Sequence, residues 1–121
     1  MLTYRQTTGE LLEPGGQVLA VCYAGQGIGK NDPNFQSVAN TGPLPQGIYE
    51  IGTLATRPHL GPSIDLAPDP SNRMRGRAGF LFHLDNPAHV GDSSDGCIVV
   101  PSLDILEAIV STGETQLHVI A

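Results

Sequence analysis

The sequence is poor in aromatic residues, basic residues and cysteine, and it has no long apolar run. Trp is absent, and the 121 residues include only three Phe and three Tyr, so the core must consist mainly of aliphatic side chains. Six basic residues stand against twelve acidic ones, a net charge of −6. This balance argues against a nucleic-acid partner, which requires a positive surface. No apolar run approaches the ~20 residues that span a bilayer, so we expect a soluble protein without membrane insertion.

The two cysteines, Cys22 and Cys97, are too few and too distant in sequence to suggest a disulfide framework. Cys22 lies inside an apolar run and is predicted to be a core residue. No signal-peptide pattern follows Met1, which predicts synthesis in the cytoplasm and export by another route. The glycines at 25, 27 and 29 lack the Lys-Ser/Thr pair of a phosphate-binding loop, and we expect no cofactor.

The length fits one domain covering residues 1–121, and the fifteen Gly and ten Pro favour strands and turns over a helical bundle. Ser102 and Gly113 are predicted to begin and end a single helix. Long irregular regions are predicted at 24–45, where the loop would frame a site, and at 53–78, with one short strand near 63–66. Strands are predicted at 2–6, 10–13, 17–23 (buried on both faces), 48–51, 79–84, 98–100 and 115–120. The predicted fold is therefore mainly β, with one C-terminal helix and long loops.

Two apolar runs carry the candidate chemistry. The first ends at His83 and the second begins at Cys97, 14 positions later, so we expect a base and a thiol on adjoining strand ends within hydrogen-bonding reach. An imidazole can remove the thiol proton and later return it to a leaving amine. Gly96 would leave room for a substrate backbone, and amides at Gly96 and Cys97 would bind the developing oxyanion. The pattern predicts a cysteine nucleophile activated by His83.

The histidine and the later Ser94-Asp95-Gly96-Cys97-Ile98 run resemble the catalytic signature of YkuD-type L,D-transpeptidases. In that signature a second histidine stands where this chain has Asp95. The sequence is more closely similar to the type VI secretion L,D-transpeptidase effector family, formerly a domain of unknown function. The similarity covers nearly the whole chain and also includes the segments 23–25, 42–49 and 77–83. In this family glycine is expected at the position of Leu84.

This resemblance implies a YkuD-like β-sandwich or barrel-type catalytic domain that modifies peptidoglycan. Cys97 would attack tetrapeptide stems and release D-alanine, giving L,D-carboxypeptidase, exchange or L,D-transpeptidase activity, with His83 as base and acid. The carbonyl of Leu84 would orient His83. The protein would act in the periplasm of a target cell and would have a cognate immunity protein as partner. Further contacts in the site would come from Ser94, Arg77, Arg75, Asp95, Leu84 and Tyr23, the two arginines holding a substrate carboxylate.

Other interpretations of the same residues remain open. His83, Asp85 and His89, with Asp92 and Cys97 nearby, are a possible metal-binding set for a hydrolase, although we expect no metal. Cys97 and His83 are alternatively core residues of a non-catalytic cell-wall-binding module. In papain-like and NlpC-type enzymes the nucleophile precedes the histidine, and the reverse order here argues against them.

Overall fold

Nine strands form one sheet in the computed structural model, which describes residues 1–121. The strands are β1 Leu2–Arg5, β2 Glu10–Leu12, β3 Val18–Val21, β4 Tyr23–Ala24, β5 Gly47–Arg57, β6 Gly61–Pro68, β7 Phe80–Leu84, β8 Ile98–Val100 and β9 Gln116–Ile120. One helix, α1 Leu103–Ser111, lies between β8 and β9, and short 3-10 turns cover Gly27–Gly29 and Pro33–Phe35. With 37% of residues in strands and 12% helical, the predicted mainly β fold with one C-terminal helix is confirmed.

The sheet nearly closes on itself. Its strand order is β3-β2-β1-β9-β5-β6-β7-β8-β4, so β3 and β4 are its two outer strands. Only Cys22 separates these strands along the chain, and its N–H donates to the carbonyl oxygen of Gly9 at 2.7 Å. The chain therefore passes from one edge of the sheet to the other in a single residue, which produces a barrel-like curvature.

Aliphatic side chains and a few aromatic ones fill the interior, as the composition predicts. Tyr4, Tyr49 and Phe82 are fully buried there, and Cys22 is a buried member of the same core. The helix packs onto this core through Leu106 and Ile109, whereas Leu103 and Val110 are 43% and 51% exposed. No helix in the fold has both the length and the apolar character needed to cross a bilayer.

The irregular region predicted at 53–78 is wrong at 53–57, which continue β5, whereas the short strand predicted near 63–66 lies within the longer β6. Strand β5 continues to Arg57 and pairs antiparallel with β6, from Tyr49 opposite Pro68 to Arg57 opposite Gly61. The sequence lacks an alternating apolar pattern here because this end of the hairpin projects from the core and most of its β5 side chains are exposed. An ion pair between Arg57 and Asp65 at 3.1 Å joins the two strands instead.

The apolar run at 17–23 is likewise not a strand buried on both faces. It divides at Cys22 into β3 and β4, and Val18 and Val21 are 51% and 61% exposed. Among the side chains of β3, only that of Ala20 is buried.

Candidate active site

The strands that carry His83 and Cys97 are parallel, with His83 in register with Val99. Cys97 immediately precedes β8, so it lies beside the middle of β7 and not at its end. This corrects the expectation of adjoining strand ends. Side chains alternate between the faces of a sheet, and Cys97 is two positions from Val99. Cys97 and His83 consequently point to the same face.

Both side chains line one open cleft with a volume of about 470 Å³. A second cavity of about 340 Å³ adjoins it and shares His83, Leu60 and Ser93 with it. As residues, Cys97 is half-buried and His83 is 5% exposed. The cleft is lined by Ala39, Asn40, Leu60, Gly76, Arg77, Ala78, Gly79, Phe80, Leu81, His83, Ser93, Asp95 and Cys97.

The imidazole of His83 is oriented by the backbone. Its Nδ1 lies 2.7 Å from the carbonyl oxygen of Leu84. A carbonyl oxygen can only accept a hydrogen bond, so Nδ1 must carry the proton and Nε2 is left with a lone pair. His83 is therefore in the tautomer that can accept a proton on the side of the ring away from Leu84.

The environment of Cys97 raises the pKa of its thiol. Burial raises its pKa, and the carboxylate of Asp95 raises it further, while a hydrogen bond from the Leu81 N–H and the charge of Arg77 oppose the shift. The S–H donates to the carbonyl oxygen of Gly79 at 3.8 Å and makes no hydrogen bond to His83. A thiol in this environment needs a base before it can act as a nucleophile.

Ser94 fixes the turn that leads into Cys97. This buried hydroxyl donates to the carbonyl oxygen of Cys97 at 2.6 Å and accepts from the N–H groups of Gly25 and Gly96 at 2.9 and 3.0 Å. The amide of Gly96 is thus already paired, which corrects its predicted function in binding an oxyanion. Gly96 is also buried against Arg77, so its missing side chain makes room for the protein and not for a substrate.

The predicted carboxylate-binding function of the arginines is not supported by their contacts. Arg77 is 8% exposed, and its two terminal nitrogens donate to four backbone carbonyl oxygens, which leaves no terminal N–H for a substrate carboxylate. Arg75 is exposed, has a left-handed backbone (φ 58°) and does not line the cleft. The cleft therefore contains no free cationic side chain.

Tyr23 supports the cleft from outside it. Its hydroxyl donates to Asp85 Oδ1 at 2.8 Å and accepts from the Ser93 N–H at 3.0 Å. Asp85 also accepts from the backbone N–H groups of Asn86 and Gly91 at 3.0 and 2.9 Å. These hydrogen bonds and those from Ser93 and Tyr23 outweigh its burial and lower the pKa of Asp85. Tyr23, predicted to contact the substrate, instead holds the loop that carries Ser93.

The sequence model of a protein family, the Tlde1 domain, matches residues 19–120, which include the whole of this site. The chain belongs to the Tlde1 domain family. This is a family of type VI secretion effector domains. No curated protein and no solved structure matches the chain.

The proposed metal-binding set of this Tlde1 domain is not assembled. No group of three or more His, Cys, Asp or Glu side chains is placed to hold a metal ion. The carboxylate of Asp85 accepts hydrogen bonds within its own loop, as described above, and His89 is exposed. His83, Asp85 and His89 therefore do not form the ligand set that their spacing suggested.

Several cleft residues of the Tlde1 domain were not among the sequence-predicted site residues. Asn40 belongs to the long Gly- and Pro-rich loop at 24–45. The sequence analysis predicted that this loop frames a site, but it did not single out Asn40. Leu60 lies in the turn between β5 and β6, and His59 beside it lines the second cavity. Neither had a sequence signal, because the hairpin that carries them was not predicted.

Proposed function

We propose that this Tlde1 domain is a cysteine enzyme that acts on the tetrapeptide stems of peptidoglycan. The observation that carries the proposal is the shared cleft of Cys97 and His83, in which Leu84 holds the imidazole in the tautomer that can accept the thiol proton. The sequence similarity to L,D-transpeptidase effectors supplies the substrate class.

In the proposed first step, the S–H proton passes to His83 Nε2 as Cys97 Sγ attacks the carbonyl carbon at the L-centre of diaminopimelate. The tetrahedral intermediate collapses with cleavage of the C–N bond. His83 returns the proton to the departing amine, which leaves as D-alanine, and a thioester remains on Cys97. A short movement of the thiol away from the carbonyl oxygen of Gly79 must precede the proton transfer.

The acceptor that enters next decides the product. Water regenerates the thiol and leaves a tripeptide stem, which is L,D-carboxypeptidase activity. A free D-amino acid gives exchange, and the amine of a second stem gives a 3→3 crosslink. We place this activity in the periplasm of a target cell after type VI secretion, with a cognate immunity protein as partner.

The electrostatics of the cleft support a substrate with an amino group. Asp95 is exposed in the cleft, its Oδ1 accepts only from Gln26 Nε2 at 2.9 Å, and no ion pair neutralises it. An ammonium group is the natural partner for such a carboxylate. A stem that contains diaminopimelate presents both an ammonium group and the amide to be cleaved.

The decisive experiment incubates the purified protein with disaccharide tetrapeptides and measures free D-alanine together with the masses of the products. The wild-type protein is expected to release D-alanine, whereas Cys97→Ser and His83→Ala release none. Cys22→Ala is the matched control, since it removes the other thiol from outside the cleft and should leave release intact. Unchanged muropeptides with folded wild-type protein would rule out the substrate, and release by Cys97→Ser would rule out the nucleophile. A non-catalytic wall-binding module predicts that Cys97→Ser retains the full biological effect.

A further inference from the structure

The guanidinium of Arg77 is buried beneath the cleft and is surrounded by backbone. One terminal nitrogen donates to the carbonyl oxygens of Gln36 and Pro43 at 2.8 and 2.7 Å. The other donates to those of Gly42 and Asp95 at 3.0 and 2.8 Å. A lysine ammonium, with three donors on one atom, cannot reproduce this planar set of four bonds.

These four bonds join two walls of the cleft that are distant in sequence. Ala39 and Asn40, which line the cleft, lie between the residues that Arg77 binds at 36 and at 42–43. The fourth carbonyl, that of Asp95, is two positions before Cys97. One side chain therefore sets the position of the 36–43 segment relative to the turn that carries the thiol.

The positive charge of Arg77 also affects the pKa of the Cys97 thiol. It forms no ion pair, since all four acceptors are neutral carbonyls, and its guanidinium carbon lies 5.2 Å from the centroid of the Phe80 ring. Arg77 lines the same cleft as Cys97 and binds the backbone two residues before it, and its positive charge lowers the pKa of the thiol, against the larger effect of burial and that of the Asp95 carboxylate. The thiolate of Cys97 is the negative charge that forms in this cleft.

We propose that Arg77 is a positioning residue that clamps the 36–43 wall to the nucleophile turn and uses its unpaired charge to favour the thiolate of Cys97. The positive charge favours the thiolate form of Cys97, and the N–H groups of the guanidinium hold residues 36–43 in place through hydrogen bonds. These two effects are separable by substitution. The proposal does not depend on the substrate, because thiol reactivity and backbone exchange are measurable without one.

The test compares Arg77→Met and Arg77→Lys in a Cys22→Ala background, with Arg75→Met as a control for an exposed arginine outside the cleft. The readouts are the rate of Cys97 alkylation by iodoacetamide from pH 6 to 10 and amide hydrogen exchange in residues 36–43. Arg77→Met is expected to shift the alkylation profile to higher pH, with alkylation at least about threefold slower near pH 8. Arg77→Lys is expected to keep the profile close to that of the parent protein and to accelerate exchange in residues 36–43. Arg75→Met is expected to change neither readout.

A folded Arg77→Met protein with the parent alkylation profile would overturn the electrostatic part of the proposal. Unchanged exchange in residues 36–43 of Arg77→Lys would overturn the clamp. If Arg77→Met does not fold, Arg77→Lys still decides the clamp, and Arg77→Gln, whose amide keeps N–H donors without the charge, decides the charge effect by the same alkylation profile. A shift of that profile to higher pH supports the charge effect, and an unchanged profile overturns it.

Discussion

His83 is anchored by the residue that directly follows it, since its Nδ1 lies 2.7 Å from the carbonyl oxygen of Leu84. The anchor is a backbone atom, so any residue at position 84 can provide it. This explains how the chain has leucine where the related effectors are expected to have glycine. It also means that the orientation of the His83 ring depends on the path of β7 and not on the side chain of Leu84.

Leu84→Met is therefore expected to keep the rate of D-alanine release within about threefold of wild type, because a similar apolar volume is retained and the carbonyl is unchanged. His83→Gln is expected to lower the rate by about 10²–10⁴-fold, which is the usual contribution of a general base. Release kinetics with both variants, after circular dichroism has shown that they fold, check this. A large loss of activity in Leu84→Met alone would contradict the backbone-anchor interpretation.

Asp95→Asn is expected to make Cys97 more reactive at neutral pH. The Asp95 carboxylate raises the pKa of the thiol, so its removal favours the thiolate and moves the alkylation profile to lower pH. The measurement is the pH dependence of iodoacetamide labelling, followed by mass spectrometry. Asp104→Asn, an exposed change at the start of α1, is the charge-matched control and should leave the profile in place. A shift to higher pH in Asp95→Asn would contradict the assignment.

The sequence was informative about the two residues that share the cleft and less so about how their strands meet. Two short apolar runs located β7 and β8, and Ser102 and Gly113 located the two ends of α1. Parallel pairing of β7 and β8 had no local signal, because a Gly- and Ser-rich loop of this length suits a hairpin as well as a return to a parallel strand. The contacts of Arg77 could not be predicted either. The sequence around an arginine does not show whether its guanidinium binds a substrate carboxylate or backbone carbonyl oxygens of the same chain.

Asp85→Asn is expected to lower the stability of the folded protein at neutral pH, and this loss of stability is expected to be smaller at acidic pH. The lowered pKa of Asp85 means that its carboxylate contributes stability above the ordinary carboxyl pKa of about 3.9 and loses that contribution as pH falls through the folded-state value. The difference in thermal midpoint between wild type and Asp85→Asn should therefore narrow from pH 6 toward pH 2.5. Glu107→Gln, an exposed change on α1, serves as the control. A difference that is constant with pH would show that the carboxylate is not the source of the stability.

Gly96→Ala is expected to disrupt the turn before Cys97 and to lower the stability of the fold. A Cβ at this position would lie 2.4 Å from Arg77 Nη2 and 2.8 Å from Phe80 Cε1, and the φ of +134° disfavours any side chain. The backbone strain alone costs about 1–3 kcal/mol, and displacement of the guanidinium adds the loss of its bonds to Asp95 and Gly42. Gly15→Ala is the matched control, since a Cβ there has nothing within 4 Å. Urea unfolding should show a loss of at least about 2 kcal/mol for Gly96→Ala and within about 0.5 kcal/mol of wild type for Gly15→Ala. Equal stability of the two variants would mean that the turn before Cys97 can move away from Arg77, which would contradict the proposal that Arg77 holds this turn in place.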